Sequence, residues 1–350
     1  MSATPVPPRV SVVIATHDRL DSVERLVRQL GAQDVAGDEF EVVVVDDGSR
    51  EPVSSRLDRH PLPCALTVLH QPNAGAAAAR HRGISAARGD LVVVLDDDMQ
   101  VAPDFLTSHL RAHPAGSRRA VLGWVRLDET RKMPLFERQH AKALERLAAA
   151  VQSGRLRLEG ANLYTGNVSF RRDDYLAVGG FDPSLRRSED VELGVRLEQA
   201  GVTVCFSEAA RAVHSSDHSS QAGWMRRAFE YGRWDLRIAR KHPEVAGASP
   251  WRFLFRVSPI SRPLLVASVV APLLTRPLAH LAMAAAVAFD RIGWERVALA
   301  GATFVYGLEY FRGVGAEAGS LRGAIEDLRR HLRPRRGDGA WTGWPVRRSS

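Results

Sequence analysis

The stretch LVVVLDDD, residues 91–98, decides the fold of this chain. Five apolar residues, three of them β-branched, lead directly into three carboxylates. A continuous apolar run bounded by turn signals is typical of a strand that is buried on both faces, as in parallel sheets. Asp96 and Asp98 are two residues apart, so both side chains can point the same way. Two hard oxygen donors at a strand end suit a divalent cation, and a solvated acidic turn is the alternative interpretation.

Earlier segments extend this stretch into an alternation of strands and helices. Residues 10–16 (VSVVIAT) and 41–45 (EVVVV) are predicted strands, and the second also ends in carboxylates, Asp46 and Asp47. Between them, apolar residues recur at helical spacing over residues 20–30. This alternation predicts an α/β fold with a doubly wound, mostly parallel sheet. Ligands of such sheets bind beyond the carboxyl ends of the strands, where these acidic residues are expected.

The chain resembles the family 2 type of nucleotide-sugar glycosyltransferase, over roughly residues 9–243. The matching elements, in the family's order, are VIATHDR (13–19), VVDDGS (44–49), NAG (73–75) with AR (79–80), LDDD (95–98), TGN (165–167), GGFD (179–182), SEDVEL (188–193) and His214. The resemblance implies the Rossmann-like GT-A fold and transfer of a sugar from a nucleoside diphosphate sugar. It does not identify the sugar.

On the donor side, the resemblance assigns Asp47 and the backbone around Thr16 to the base and ribose. Asp46 is expected to be structural support at the strand end, and Arg80 is either a donor contact or part of a solvated helix face. The full set of residues expected to bind the donor is Thr16, Asp18, Arg19, Asp47, Asn73, Gly75, Arg80, Asp96, Asp97 and Asn167.

The resemblance also implies a divalent metal ion. Asp98 is the expected ligand, with Asp96 beside it or linked through water, and His214 completing the site. An imidazole beside carboxylates favours Mn²⁺, with Mg²⁺ as the alternative. A lone histidine is often a packing residue instead, and His218 is an alternative ligand.

On the acceptor side, Glu189 and Asp190 open a helical pattern after a Gly-Gly turn. An inverting transfer needs one base that deprotonates the acceptor hydroxyl as it attacks. The resemblance assigns this role to Asp190, with Glu189 orienting the acceptor or a neighbouring group. The alternative is that both acids only complement the dipole of the helix.

The C-terminal third is apolar and basic. Residues 263–275 and 277–289 are uncharged stretches, each too short to span a bilayer, and a third apolar segment covers residues 297–311. The arginines that punctuate them are Arg252, Arg256, Arg262, Arg276, Arg291 and Arg296. This pattern predicts helices that lie in an anionic membrane interface. A helical subdomain packed on the catalytic domain and a spanning hairpin are the alternatives.

Composition and length bound the rest of the interpretation. The chain has 350 residues, a net charge of +8 and two cysteines, Cys64 and Cys205, which predict no disulfide framework and fit a reducing cytoplasm. The N-terminus lacks the pattern of a signal peptide. The predicted divisions are a disordered lead (1–8), the GT-A domain (9–243), a helical, apolar and basic appendage (244–332) and a basic disordered tail (333–350).

The sequence therefore predicts a metal-dependent, inverting glycosyltransferase, cytoplasmic and peripheral on the inner face of the cell membrane. The expected donor is UDP- or dTDP-linked, and the acceptor is a glycan, a lipid-linked molecule or a small molecule. No nucleic-acid motif accompanies the basic charge, so nucleic acid is not an expected partner. The rivals are a non-catalytic nucleotide-sugar-binding or scaffold protein and a sugar-phosphate nucleotidyltransferase. Such nucleotidyltransferases usually carry a Gly-rich basic loop after the first strand, and residues 16–19 (THDR) are not one.

Overall fold

A computed structural model describes residues 7–58, 61–128, 130, 133–215 and 220–332. The chain divides into two compact units: the first is Met1–Lys132 with Leu144–Asp217, and the second is Met133–Ala143 with His218–Ser350. The predicted tail, 333–350, lies outside the described residues, as do most of the predicted lead and His218.

The first unit is built on one eight-stranded sheet. Its strands are β1 (Val10–Thr16), β2 (Phe40–Asp46), β3 (Ala65–His70), β4 (Leu91–Asp96), β5 (Met99–Val101), β6 (Arg119–Leu127), β7 (Asn167–Arg171) and β8 (Thr203–His214). They are ordered β3-β2-β1-β4-β7-β6-β8-β5. The pairs β1–β2, β2–β3, β1–β4 and β6–β8 are parallel, whereas β7 and β5 run antiparallel to their neighbours. The prediction of a mostly parallel sheet is confirmed.

Helices cover both faces of this sheet. They are α1 (Leu20–Leu30), α2 (Ser54–Leu57), α3 (Ala76–Ala86), α4 (Phe105–Arg111), α5 (Leu135–Gln152), whose first residues belong to the second unit, α6 (Arg172–Ala177) and α7 (Glu189–Gln199). Val12 of β1 packs in one apolar cluster with Leu26 of α1, and the next residue, Val13, packs in another with Ile84 of α3. Because both faces are buried, these strands read as continuous apolar runs.

The register of the central strands aligns their polar ends. Thr16 pairs with Asp46 across β1 and β2, and Ala15 pairs with Asp96 across β1 and β4. Parallel strands place their carboxyl ends at one edge of a sheet, and ligands of such sheets bind there. The acidic residues of the two strands therefore lie along the same edge, as the sequence predicted.

The second unit is helical. Its helices are α8 (Gln221–Lys241), α9 (Trp251–Arg256), α10 (Arg262–Val270), α11 (Pro272–Arg291), α12 (Glu295–Ala318) and α13 (Leu321–Leu332). They share one apolar core, to which α8 contributes Trp224, Met225 and Leu236. The division between units falls at 217/218, whereas the sequence placed it at 243/244. The shift in composition comes after Pro250, but α8 packs with the helices that follow it.

Two glycines explain why α8 belongs to this unit. A Cβ added at Gly232 of α8 would lie 1.9 Å from the carbonyl oxygen of Tyr310, and one added at Gly313 of α12 would lie 1.9 Å from that of Phe229. The backbones of α8 and α12 are therefore in direct contact, which only glycine permits at these two positions. Such a contact does not show in a hydrophobic pattern.

We expect Gly232→Ala to lower the free energy of unfolding by about 1–3 kcal/mol, because the new methyl group forces α8 and α12 apart. Gly223→Ala in the same helix is the matched control, since its Cβ would approach only Ser220, at 3.4 Å. It should remain within about 1 kcal/mol of wild type, on the stabilising side. Urea unfolding followed by circular dichroism measures both variants. Equal stability of the two would contradict the close helix contact.

Candidate active site

The carboxylates after β4 are held by two residues from the end of β1. Arg19 Nη1 lies 3.0 Å from Asp97 Oδ1 and 2.7 Å from Asp98 Oδ2, and the Thr16 hydroxyl donates to Asp97 Oδ2 at 2.7 Å. Burial raises the pKa of Asp97 to about 6, although the positive charge of Arg19 opposes the shift. Thr16 and Arg19 thus fix the acidic turn from within the protein.

His214 reaches the same turn through strand pairing. The β5–β8 register places His214 opposite Met99, the residue after Asp98, and His214 Nε2 lies 3.3 Å from Asp98 Oδ2. Burial opposes ionisation of Asp98, but the hydrogen bond with His214 and the charges of His214 and Arg19 hold its pKa well below the usual value. Asp98 is therefore a buried carboxylate that stays ionised.

One oxygen of this carboxylate lacks a partner. Asp98 Oδ1 is buried and has no hydrogen-bond partner among the described residues. An unsatisfied buried carboxylate oxygen is costly, so its position fits a cationic ligand. With the imidazole of His214 it forms a donor pair that suits Mn²⁺ or Mg²⁺. The described residues contain no group of three or more His, Cys, Asp or Glu side chains arranged for a metal.

Asp96 has a different environment from Asp98. Strand β4 ends at Asp96, so the two-residue alternation that predicted a shared direction does not continue to Asp98. Asp96 Oδ1 instead accepts a hydrogen bond from Arg80 Nη2 at 2.6 Å. Of the three predicted metal ligands, the structure brings Asp98 and His214 together and pairs Asp96 with Arg80.

Arg80 pairs with two carboxylates that lie far apart in the sequence. Its Nη1 donates to Glu189 Oε1 at 3.0 Å, while its Nη2 holds Asp96. Arg80 is only 8% exposed, so the alternative of a solvated helix face is wrong. The guanidinium ties the end of β4 to the first residue of α7.

Asp190 has the properties of a poised base. Burial raises its pKa to about 7, and the neighbouring charge of Glu189 acts in the same direction. The backbone N–H of Val191 donates to Asp190 Oδ1 at 2.8 Å and fixes the carboxylate. Ser188, just before the pair, has a left-handed backbone with φ of 56°. Such strain is typical of functional sites, and a base that titrates near neutral pH is the most effective.

Asp46 and Asp47 hold loops at the same edge. Asp47 accepts hydrogen bonds from Gln71 Nε2 at 2.7 Å, from the Ala74 N–H at 2.9 Å and from the Gly75 N–H at 2.9 Å. It therefore orders the segment that leads into α3. Asp46 accepts from the Ser49 N–H at 2.9 Å, which matches its expected role as support. The sequence did not identify Gln71, since it precedes the NAG motif.

Asp18 and Asn73 lie at the open part of this edge. The hydrogen bond from the backbone N–H of Arg50 lowers the pKa of Asp18, and the Arg50 side chain also donates to it. Asn73 is exposed, and its Nδ2 atom lies 3.3 Å from Nδ1 of His17. His17 Nδ1 also lies 2.9 Å from the carbonyl oxygen of Asp47. His17 lies within the VIATHDR motif but received no role from the sequence.

Asn167 requires a correction. It was predicted to bind the donor, but it is fully buried, with Nδ2 donating to the Ala210 carbonyl at 2.9 Å and Oδ1 lying 2.9 Å from His109 Nε2. It packs beside the irregular β6–β8 register near Gly123, where no space exists for ligand. We assign it a structural role. Its position in the TGN motif did not reveal its burial.

A second supporting contact was also missed. The Ser215 N–H donates to the Asp98 carbonyl at 2.9 Å, and the Ser215 hydroxyl donates to Asp128 Oδ2 at 2.9 Å. These bonds anchor the acidic turn to the chain just after His214. No motif marks Asp128, so the sequence carried no signal for it.

The chain is similar to known proteins over the strands and helices that carry this site. Residues 11–178 match the profile described as glycosyl transferase family 2, and residues 145–219 match the N-terminal domain of galactosyltransferase. The pre-mycofactocin glycosyltransferase of Mycobacterium tuberculosis is 32% identical over 248 residues, which are 67% of this chain and 48% of the relative. The validoxylamine A glucosyltransferase of Streptomyces hygroscopicus is 29% identical over 285 residues, 71% of this chain and 64% of the relative. The chain thus spans about half to two thirds of their length.

Solved structures share the fold over most of the chain. The mannosyltransferase PcManGT from Pyrobaculum calidifontis, solved with GDP-Man and Mn²⁺, aligns with a TM-score of 0.59 and 19% identity over 88% of each chain. Residues 1–349 of TarS from S. aureus align with a TM-score of 0.52 and 19% identity, over 88% of this chain and 90% of that one.

Proposed function

Because the chain belongs to glycosyltransferase family 2 and has the GT-A fold, we propose that it transfers a sugar, with inversion, from a nucleoside diphosphate sugar to an acceptor hydroxyl. The observation that carries the proposal is the double ion pair of Arg80, with Asp96 at 2.6 Å and Glu189 at 3.0 Å. It joins the expected diphosphate side of the site to the helix end that bears Asp190.

On the donor side, the loops ordered by Asp47 and Asp18 receive the base and ribose of a UDP- or dTDP-linked sugar. Asn73 and the backbone of Gly75 lie on the exposed part of these loops, where a nucleotide can approach. Asp98 and His214 are the residues that would hold a divalent cation, which supplies Lewis-acid stabilisation of charge on the departing diphosphate. Arg19 holds Asp98 in place, as its 2.7 Å contact supports.

On the acceptor side, Asp190 accepts the proton of the acceptor hydroxyl as the hydroxyl oxygen attacks the anomeric carbon. Attack from the face opposite the diphosphate inverts the configuration at that carbon. Arg80 balances the charge of Glu189 and Asp96, so the base does not face two uncompensated carboxylates. Glu189 thus orients groups around the attacking hydroxyl, which belongs to a glycan, a lipid-linked molecule or a small molecule. Two of the relatives that the chain resembles are named for pre-mycofactocin and validoxylamine A.

A binding or scaffold protein has no use for a carboxylate whose pKa is raised to near neutral. Asp190 is such a group: it is half-buried, and its desolvation disfavours the charged form without a catalytic return. This observation favours the enzyme over the scaffold. Proton NMR of the reaction with UDP- and dTDP-sugars tests the proposal, because it detects both transfer and the anomeric configuration of the product. Retention of configuration would exclude Asp190 as a base in direct displacement.

The pH profile gives a further prediction. Asp190 accepts a proton only when ionised, and its pKa is raised from 3.8 to about 7. We therefore expect kcat to fall tenfold per pH unit below an apparent pKa near 7. Steady-state rates across pH with saturating donor measure this limb. A flat profile down to pH 5, in enzyme that remains folded, would contradict the assignment.

A further inference from the structure

The exposed face of α11 is apolar. Leu273, Leu274 and Leu281 are 86%, 77% and 70% exposed, whereas a helix surface in water usually carries polar side chains. The opposite face of the same helix, with Ala279 and Met283, is buried in the core of the second unit. The leucines therefore make no contribution to that core.

The segments on either side of α11 also expose large apolar side chains. Ten of the fifteen large apolar side chains that are exposed among the described residues fall between residues 260 and 297. They include Ile260 before α10 and Ile292 and Trp294 between α11 and α12. We call the exposed large apolar side chains of residues 260–297 the apolar face. Its concentration in one segment is unusual, since single exposed apolar residues are normally scattered.

The charges within this segment are unbalanced. Its two acidic residues, Asp290 and Glu295, are both paired with Arg138, at 2.5 and 3.0 Å. Arg276, Arg291 and Arg296 are exposed, and none of the three makes an ion pair within the part of the chain that the structure describes. Three uncompensated positive charges thus accompany the apolar face, in a chain with a net charge of +8.

This combination fits an anionic lipid surface better than its alternatives. Within the described residues, α11 is the one helix that is long and apolar enough to cross a membrane, with a mean hydropathy of 1.3. A single helix of this kind is weak support for crossing, because core helices of other proteins have the same length and composition. Crossing would draw Arg276, the fifth residue of this helix, towards the hydrocarbon, where a charged side chain is disfavoured. A second copy docked on the same face would bring like charges together, which opposes association.

We propose that the apolar face inserts shallowly into an anionic bilayer, with its leucines at the acyl boundary and Arg276, Arg291 and Arg296 on lipid phosphates. This mode of attachment leaves every arginine in contact with headgroups and buries the exposed leucines. For a cytoplasmic protein the surface is the inner face of the cell membrane. The inference is independent of sugar transfer, and a failure of either leaves the other standing.

Co-sedimentation of the full chain with vesicles tests the proposal. We expect strong binding at low salt to vesicles of phosphatidylglycerol and phosphatidylcholine, weaker binding to phosphatidylcholine alone, and only partial release at high salt, since salt screens charge but not apolar burial. A protein that stays in the supernatant with anionic vesicles at low salt would overturn the proposal.

Matched variants separate the two contributions. Arg276→Gln with Arg291→Gln should weaken binding about thirtyfold at low salt, from about 1 kcal/mol per arginine. Arg25→Gln with Arg111→Gln changes the net charge equally on exposed arginines of the first unit, and should have little effect. Leu273→Gln with Leu274→Gln should weaken binding about a hundredfold, whereas Leu176→Gln, an exposed leucine of the first unit, should not. Circular dichroism verifies that each variant is folded.

Three results would contradict the interfacial mode. Equal vesicle binding by the leucine pair and the Leu176→Gln control would remove the apolar face from the contact. Resistance of the cellular protein to alkaline carbonate would indicate a spanning helix. Sedimentation velocity that shows a dimer abolished by Leu273→Gln with Leu274→Gln, without vesicle binding by wild type, would assign the face to a second copy.

Discussion

Asp190→Asn is expected to lower kcat by about 10²–10⁴-fold, the usual contribution of a general base, while donor affinity stays nearly unchanged. The substitution keeps the shape of the side chain and its contact with the Val191 N–H. It removes the ability of the side chain to accept the acceptor's proton. Because that proton is transferred only in the transition state, the substitution lowers kcat and not donor affinity. Steady-state kinetics give kcat, and calorimetry with the nucleoside diphosphate gives donor affinity.

Asp182→Asn is the matched control for this prediction. Asp182 Oδ1 accepts from the Ser184 N–H at 2.9 Å in the turn before α7, and an amide oxygen can keep that bond. We expect this variant to turn over at close to the wild-type rate. If Asp190→Asn does the same, Asp190 is not the base and Glu189 becomes the candidate.

Asp98→Ala is expected to abolish transfer and to weaken metal-dependent binding of UDP or dTDP. Removal of a residue that only supports a metal ligand typically weakens metal affinity by about 10–100-fold. We expect the metal-dependent nucleotide affinity of Asp98→Ala to fall by more than this. The reason is that Asp98 carries the buried unpartnered oxygen and contacts both Arg19 and His214. Calorimetry with and without EDTA measures the metal-dependent part of the affinity.

The variant also removes a partner of Arg19 and His214, so its thermal unfolding must be compared with that of wild type. Asp104→Ala is the control, because Asp104 is a half-exposed carboxylate whose ion pair with Arg211 is long, at 3.6 Å. Its nucleotide affinity should match wild type. Nucleotide affinity that is unchanged by Asp98→Ala and insensitive to EDTA would remove Asp98 from the metal site.

The sheet was predictable because its physics is local to each strand. Residues 91–95 are buried on both faces, and only a continuous apolar run satisfies that environment. The position of the acidic strand ends followed from the parallel direction of β1, β2 and β4. The helical character of the C-terminal region, predicted for residues 244–332, followed from composition and was also confirmed.

The sequence predictions that differ from the structure concern residues whose environment depends on contacts with distant parts of the chain. The alternation rule for Asp96 and Asp98 applies only while a strand continues, and β4 ends at Asp96. Asn167 matches its motif, yet its amide is used by His109 and Ala210, which lie far away in sequence. Arg80 was ambiguous in the sequence because its burial depends on Glu189, more than a hundred residues later.

The boundary of the helical unit differs from the predicted division for a related reason. The contact of α8 with α12 depends on Gly232 and Gly313, and small residues leave no trace in a hydrophobic pattern. The charge imbalance of the apolar face was likewise hidden, since Asp290 and Glu295 are neutralised by Arg138 from an earlier part of the chain. Patterns of single residues cannot reveal pairings of this range.

The most direct test of the central claim is a screen of nucleoside diphosphate sugars with Mn²⁺, in which the released nucleotide is identified by chromatography. We predict that at least one donor releases its nucleoside diphosphate with the wild-type protein, and that both EDTA and Asp98→Ala abolish the release. Release of a nucleoside triphosphate from a donor with pyrophosphate would indicate a nucleotidyltransferase. Binding of a donor with no turnover in the presence of any acceptor would indicate a scaffold, and either result would contradict glycosyl transfer.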